Sequence, residues 1–496
     1  MSLYLGIDVG SSSVKTAIFD ADKGVCIGRA TMPSTEQPID APHPGWAEQD
    51  PEMWWTNFLD GYSSLVKTNG IDTKRIAGIG ISYQMHGLVL LDDTLRPLRK
   101  SIIWCDSRAV ETGRRAFEAI GKHACLSALL NSPGNFTAAK LGWVKDHEAR
   151  LFEQVKYFML PGDYFATRLT GQPSTTLPGL SEGIFVDFHR RAVSDLLLSY
   201  FGFDPSLVAP LVPPIGDQGT ISPAIATLLN LRDDVKILYR AGDQPNNAFS
   251  LNVIAPGDVA ATAGTSGVIY AVTDEMAYDP ESRINTFMHV TDTAEDRRNG
   301  ILICVNGTGI LYSWLRRLLS ASGDLISYER LNALAADAPP GADDLLLYPY
   351  GNGAERILGN RRPNASIENI DFNRHAPSHV TRAALEGIVY ALNVGFEILR
   401  QLGVQPATIR AGNANLFLSE TFRSIFANVT GTPVELFDTD GSEGAARGAA
   451  LGGGFYSSPE EAFQSLTRIT RIDPDPESVE AYGARFASWS QQMSSR

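Results

Sequence analysis

Cysteine is scarce in this 496-residue chain, which holds only Cys26, Cys105, Cys125 and Cys304. None forms a CxxC pair or belongs to a Cys/His cluster, which argues against a disulfide frame and a zinc site. Such usage suits a reducing cytoplasm. Long apolar runs are missing too, so no stretch reads as a membrane-spanning helix. The chain opens on Leu3-Tyr-Leu-Gly-Ile-Asp8, a strand pattern without a basic n-region or cleavage site. The expectation is therefore a cytoplasmic protein without a secretory leader. Positive charge is in deficit, with 42 Lys and Arg against 56 Asp and Glu and a formal net charge of −14. An acidic surface repels phosphate backbones, which argues against nucleic acid or an anionic membrane as partner. A nucleotide would need local help from Mg²⁺, backbone amides or a few basic side chains. Neither GxGxxG nor GxxxxGK[ST] occurs at the glycine-rich start, so the Rossmann and P-loop readings fail there.

What is present is a duplicated design. The length is too great for one core and predicts two domains. Residues 3–20 read as strand, Gly10-Ser11-Ser12-Ser13 turn, and a second strand ending at Asp20. That turn offers successive backbone N–H groups and three hydroxyls to phosphate oxygens. Asp8, on the same turn, could hold a hydrated Mg²⁺. Lys15 falls in the outgoing strand and reads as a solvated face. Residues 259–274 repeat the arrangement with a Gly264-Thr265-Ser266-Gly267 turn. Two such hairpins, one heading each half, predict two phosphate-binding turns facing one cleft.

Between them lies Val235-Lys-Ile-Leu-Tyr-Arg-Ala-Gly-Asp243-Gln-Pro-Asn-Asn-Ala248. A carboxylate beside Gly at a strand end is where open α/β sheets place ligand-binding residues. On that stretch alone a helix N-cap or turn Asp is the better reading, and the rest of the chain has to overturn it. Gly-Asp-Gln occurs twice, but Asp217 has no strand leading into it, whereas Asp243 does. The boundary between halves is placed at Asp233-Asp234, giving domains 1–234 and 235–496.

Several further stretches carry a resemblance. Pro44-Gly-Trp46-Ala-Glu-Gln-Asp50-Pro-Glu-Met-Trp54-Trp55, the strand end Gln84-Met85-His86-Gly87, Trp104-Cys-Asp106-Ser-Arg108 and Phe136-Thr-Ala-Ala-Lys140-Leu-Gly-Trp143 resemble segments of the FGGY carbohydrate kinases, and within them the xylulokinase group. The likeness covers nearly the whole chain. It departs at Gln244-Pro245, at Ala354 in the Tyr350-Gly-Asn-Gly-Ala-Glu355-Arg356 run, and at the single Gly412 of Ala411-Gly412-Asn413-Ala414-Asn415.

The resemblance implies an α/β fold of two ribonuclease-H-like, actin/hexokinase-like ATPase domains flanking a central cleft. It implies ATP and Mg²⁺ as cofactors and a sugar as partner, and it admits a homodimer. Asp243 is then the base for a terminal hydroxyl of a ketopentose such as D-xylulose. Met85, His86, Asp106 and Gln244 line the sugar. Ser11, Ser12, Ser13, Gly264, Thr265, Ser266, Gly412 and Asn415 bind ATP, and Asp8 positions the metal. From the residues alone, Asp106 and Arg108 serve equally as a salt bridge, and Trp54 and Trp55 read as core. A kinase for ribulose, gluconate or glycerol, or a non-catalytic sugar or nucleotide sensor, stays open.

Overall fold

Strands buried on both faces read as continuous apolar runs, and Leu3–Val9 and Gly267–Thr273 are buried at every position. In the computed structural model, which describes residues 2–320 and 324–494, these strands sit inside two separate sheets. The first contains β1 (Leu3–Val9), β2 (Val14–Asp20), β3 (Val25–Met32), β4 (Ile76–Tyr83) and β5 (Lys236–Gly242), in the order β5-β4-β1-β2-β3. The second contains β6 (Val259–Ala263), β7 (Gly267–Thr273), β8 (Asn285–Met288), β9 (Asn299–Val305), β10 (Ile409–Gly412), β11 (Val434–Phe437) and β12 (Arg468–Ile472). Its order is β8-β9-β7-β6-β10-β11-β12.

The duplication is visible in these orders. In each half a strand pairs antiparallel with the next across a Gly/Ser/Thr turn, and parallel with a later strand on its other side. Strand β5 corrects the expected division at 234/235. It runs parallel to β4, with Gly242 opposite Tyr83, and so completes the first sheet. The physical reason is that β4 and β5 are each buried and need a neighbour on the hydrogen-bonding edge, wherever it lies in sequence.

Seven helices matter for the site: α1 (Pro51–Asn69), α2 (Pro161–Thr170), α3 (Leu177–Glu182), α4 (Asp243–Ser250), α5 (Gly309–Leu319), α6 (Pro377–Gln401) and α7 (Gly441–Gly452). Asp50 caps α1, accepting from the Glu52 amide, with Pro51 at the first helical position, as read from the sequence. Trp54 and Trp55 are buried in the core of the first half. Helix α7 comes from the second half of the chain yet lies on β1, β2, β4 and β5.

Glycine makes that crossing possible. Gly6 and Gly80 face each other across β1 and β4. A Cβ at Gly6 would stand 1.8 Å from the Ser442 carbonyl oxygen, and one at Gly80 would stand 1.9 Å from that of Ala445. Gly80→Ala is therefore expected to lift α7 and lower stability by about 1–3 kcal/mol through overpacking. Thermal unfolding checks this; an unchanged midpoint would show that the helix does not depend on the close approach.

Candidate active site

The carboxyl ends of β1 and β5 meet the N-termini of α4 and α7. Asp8, at the end of β1, is buried and accepts a hydrogen bond from Ser82 Oγ at 2.9 Å. Antiparallel register places Lys15 opposite Asp8, and its Nζ lies 3.7 Å from Asp8 Oδ2. The Asp8 charge, with Asp440 and Asp243 beyond it, raises the Lys15 pKa. Lys15 is thus a site cation, which corrects its reading as a solvated face. The missed signal was the hairpin itself: a tight turn fixes which residue faces Asp8.

Asp243 forms the first residue of α4. Burial, then the nearby Asp8 charge, push its carboxyl up to about 7, while Gln244 and Lys15 pull the other way. Gln244 hydrogen-bonds Asp243 through both its backbone and its side chain. Gln244, expected at the sugar, in this structure hydrogen-bonds the Asp243 carboxyl. Gly441 leaves no room for a side chain, since a Cβ there would meet Asp8 Oδ2 at 2.7 Å and Asn247 Oδ1 at 3.3 Å. Asn246 Nδ2 ties the two helix starts together through the Gly441 carbonyl at 2.8 Å. Asp217 lies elsewhere, exposed and paired with Lys236, so geometry sides with Asp243.

The first turn is braced from behind. Gln49 Nε2 donates to the Ser11 carbonyl at 2.7 Å, and Gln49 Oε1 accepts from Trp54 Nε1 at 3.0 Å. Gln37 Nε2 holds the Gly10 carbonyl at 3.1 Å. The Glu-Gln-Asp-Pro segment therefore serves the turn through Gln49, a residue that the sequence did not single out. Trp104, half exposed, donates its indole N–H to Ser11 Oγ at 3.1 Å.

His86 holds a left-handed backbone (φ 63°) beyond β4. Its Nδ1 lies 2.9 Å from the Glu182 carbonyl oxygen. A carbonyl only accepts, so Nδ1 carries the proton and Nε2 is left as an acceptor. Burial, then the Lys140 ammonium, bring the His86 pKa down to about 3, so the ring is neutral. Phe136 and, from the second half, Phe287 pack on the ring at centroid distances of 4.7 and 5.4 Å. Lys140 Nζ reaches the carbonyls of His86 and Ile103 at 2.8 and 2.9 Å, joining two loops. Met85 is buried in the adjoining core.

Asp106 requires a correction. Its carboxylate is fully buried and accepts from the Ala47 amide at 2.6 Å, the Arg108 amide, and Arg108 Nε and Nη2. Arg108 in turn pairs with Glu48 and lies 3.7 Å from the Trp46 ring centroid. The Asp106 oxygens are used by the scaffold, because a buried carboxylate is held by a fork of donors wherever one is available.

The second turn opens on a cavity of about 570 Å³. Gly264, Thr265, Gly309, Tyr328, Asn415 and Leu418 are among its walls. The start of α5 pins the turn, with the Gly309 amide donating to the Gly264 carbonyl at 2.8 Å. Asn415 adopts a left-handed backbone (φ 55°), and its amide faces Gly264. Ser266 and Gly412 flank this cavity without lining it, and the Ser266 hydroxyl bonds Cys304 instead. Ser419 caps the following helix, accepting from the Phe422 amide. A cavity of the same size behind the first sheet is lined by Arg29, Glu443 and Arg447, whose charges pair with one another.

Two sheets of like order, a Gly/Ser/Thr hairpin on each, and Asp8 and Asp243 brought together at strand ends define the actin/hexokinase-like kinase class. The chain belongs to the FGGY family of carbohydrate kinases: the family's N-terminal domain matches residues 3–250 and its C-terminal domain residues 259–456. It is 29% identical to a xylulose kinase of Bacillus subtilis, over 98% of this chain and 95% of that one. It is 30% identical to a xylulose kinase of Klebsiella pneumoniae, over 90% and 89%. The solved xylulose kinase of Rhodospirillum rubrum superposes with a TM-score of 0.88 at 26% identity, covering 99% of this chain and 98% of that one.

Proposed function

We propose that this carbohydrate kinase transfers the γ-phosphoryl group of ATP to the terminal hydroxyl of a ketopentose, converting D-xylulose to D-xylulose 5-phosphate. The observation that carries the reading is Asp243: a carboxyl at the start of α4, with a pKa pushed up to about 7, close to Asp8 and Lys15. Such a group accepts a hydroxyl proton at neutral pH. His86 Nε2, a neutral acceptor, suits a sugar hydroxyl. Arg356 reaches over Phe136 from the second half, with its guanidinium 5.5 Å from the ring centroid, and adds donors beside His86.

The turn amides at 10–13 and 264–267 suit phosphate oxygens, and the 570 Å³ cavity by Asn415 suits the nucleoside. Asp8, with Asp243 close by, offers hard oxygen ligands of the kind Mg²⁺ takes alongside phosphate. Bound there, Mg²⁺ would neutralise charge on the transferred group. Lys15 adds a fixed cation to the same place. Among the described residues no helix is long and apolar enough to cross a membrane.

A coupled ADP assay over a panel of sugars tests the reading. The expected result is the highest kcat/KM with D-xylulose; preference for gluconate, ribulose or glycerol would reassign the substrate. His86→Ala should raise KM for the sugar about tenfold, the equivalent of one lost hydrogen bond, with KM for ATP unchanged. Equal effects on both constants would remove His86 from the sugar.

A further inference from the structure

Glu182 is buried at the end of α3. Its side chain and its backbone each hold a different part of the site. The Gly242 amide, one residue before the base, donates to Glu182 Oε1 at 3.2 Å. The Glu182 carbonyl oxygen receives His86 Nδ1 at 2.9 Å. The contact at 242 is close enough that a Cβ there would stand 2.3 Å from Glu182 Oε1, so only glycine fits while the carboxyl keeps its place. The neighbouring Ser181 Oγ accepts from the Met288 amide at 2.9 Å, and Phe287, next to Met288, packs on the His86 ring. The end of α3 thus touches the residue before Asp243, the His86 ring and the edge strand of the second sheet.

We propose that Glu182 is a positioning residue for phosphoryl transfer, fixing Asp243 through the Gly242 amide and His86 through its own carbonyl. The assignment rests on the reading of Asp243 as the base. Tyr83 from β4, Tyr239 from β5, Tyr270 from β7, Asp163 from α2 and Asp243 face the carboxyl. Burial, then the Asp243 charge, push it well above the usual carboxylate range, which favours the neutral acid. A neutral acid can hold the Gly242 amide without placing a second full charge beside the base. The buried Tyr83 side chain hydrogen-bonds the Glu182 carboxyl.

The test is steady-state kinetics of the full chain with D-xylulose and ATP, with a thermal midpoint for each variant. Glu182→Ala is expected to lower kcat about 100-fold at unchanged KM for ATP, the scale of a misplacement of about 1 Å. Glu182→Asp, one methylene shorter, should lose about tenfold on the same argument. Glu182→Gln keeps the length and an acceptor for Gly242, and should recover most of the rate lost in the alanine variant. A wild-type kcat in Glu182→Ala, or a Gln variant no better than Ala, overturns the assignment. If the Ala variant does not fold, equal kcat for Asp and Gln overturns it. Wild-type protein that phosphorylates no sugar defeats the kinase reading itself, whereas active wild type with unaffected variants defeats only the role of Glu182.

Discussion

Asp243→Asn is expected to lower kcat by about 10²- to 10⁴-fold, the range attributed to a positioned general base. The substitution keeps size and polarity at the start of α4, so the helix and the β4–β5 pairing should survive. What it removes is the capacity to take the hydroxyl proton. Nucleotide affinity should change little, because Gly264, Thr265 and Asn415 border a separate cavity. The pH profile gives an independent check. The proposed base must be ionised to take the proton, and burial pushes its pKa up to about 7, so kcat/KM should fall as pH drops through 7 and level off above it. In Asp243→Asn that acid limb should vanish. A variant with full activity, or a limb that persists, would remove Asp243 from the chemistry.

Arg240→Met should produce the largest loss of stability. Arg240 and Asp163 are both fully buried, with Arg240 Nε 3.4 Å from Asp163 Oδ1. Asp163 also accepts from Thr175 Oγ1 at 2.9 Å and from the Leu160 amide at 3.2 Å. Removing the guanidinium strands a carboxylate that burial already pushes upward. The expected cost is about 3–5 kcal/mol, read as a lower thermal midpoint. The deficit should shrink at acidic pH, where Asp163 takes up a proton. Arg240→Met with Asp163→Leu should recover most of it, since a buried pair replaced by apolar groups is often neutral or better. A double variant as unstable as the single one would mean that volume, not charge, is what Arg240 supplies. The pair matters for the site because Arg240 lies on the strand that delivers Asp243.

Local features were legible wherever the chemistry is contained in a short stretch. The two Gly/Ser/Thr hairpins, the Asp50-Pro51 helix start, the buried Trp54 and Trp55, and the strand leading into Asp243 all follow from patterns a few residues long. Side-chain direction did not follow. Asp106 could equally have faced sugar or scaffold, and only the approach of the Ala47 amide and Arg108 decided for the scaffold. Gln49 and Glu182 carried no signal, because their partners lie far away in sequence.

The sequence by itself determined the duplicated hairpins, the strand-end carboxylates Asp8 and Asp243, and the kind of chemistry that such residues serve. Tertiary structure decided that β5 closes the first sheet, that Lys15 faces Asp8, and that α7 crosses from the second half onto Gly6 and Gly80. The physical reason is the range of the interactions. A turn is set by the dihedral preferences of adjacent residues, whereas strand pairing, helix docking and buried carboxyl contacts join residues that meet only after the chain has folded.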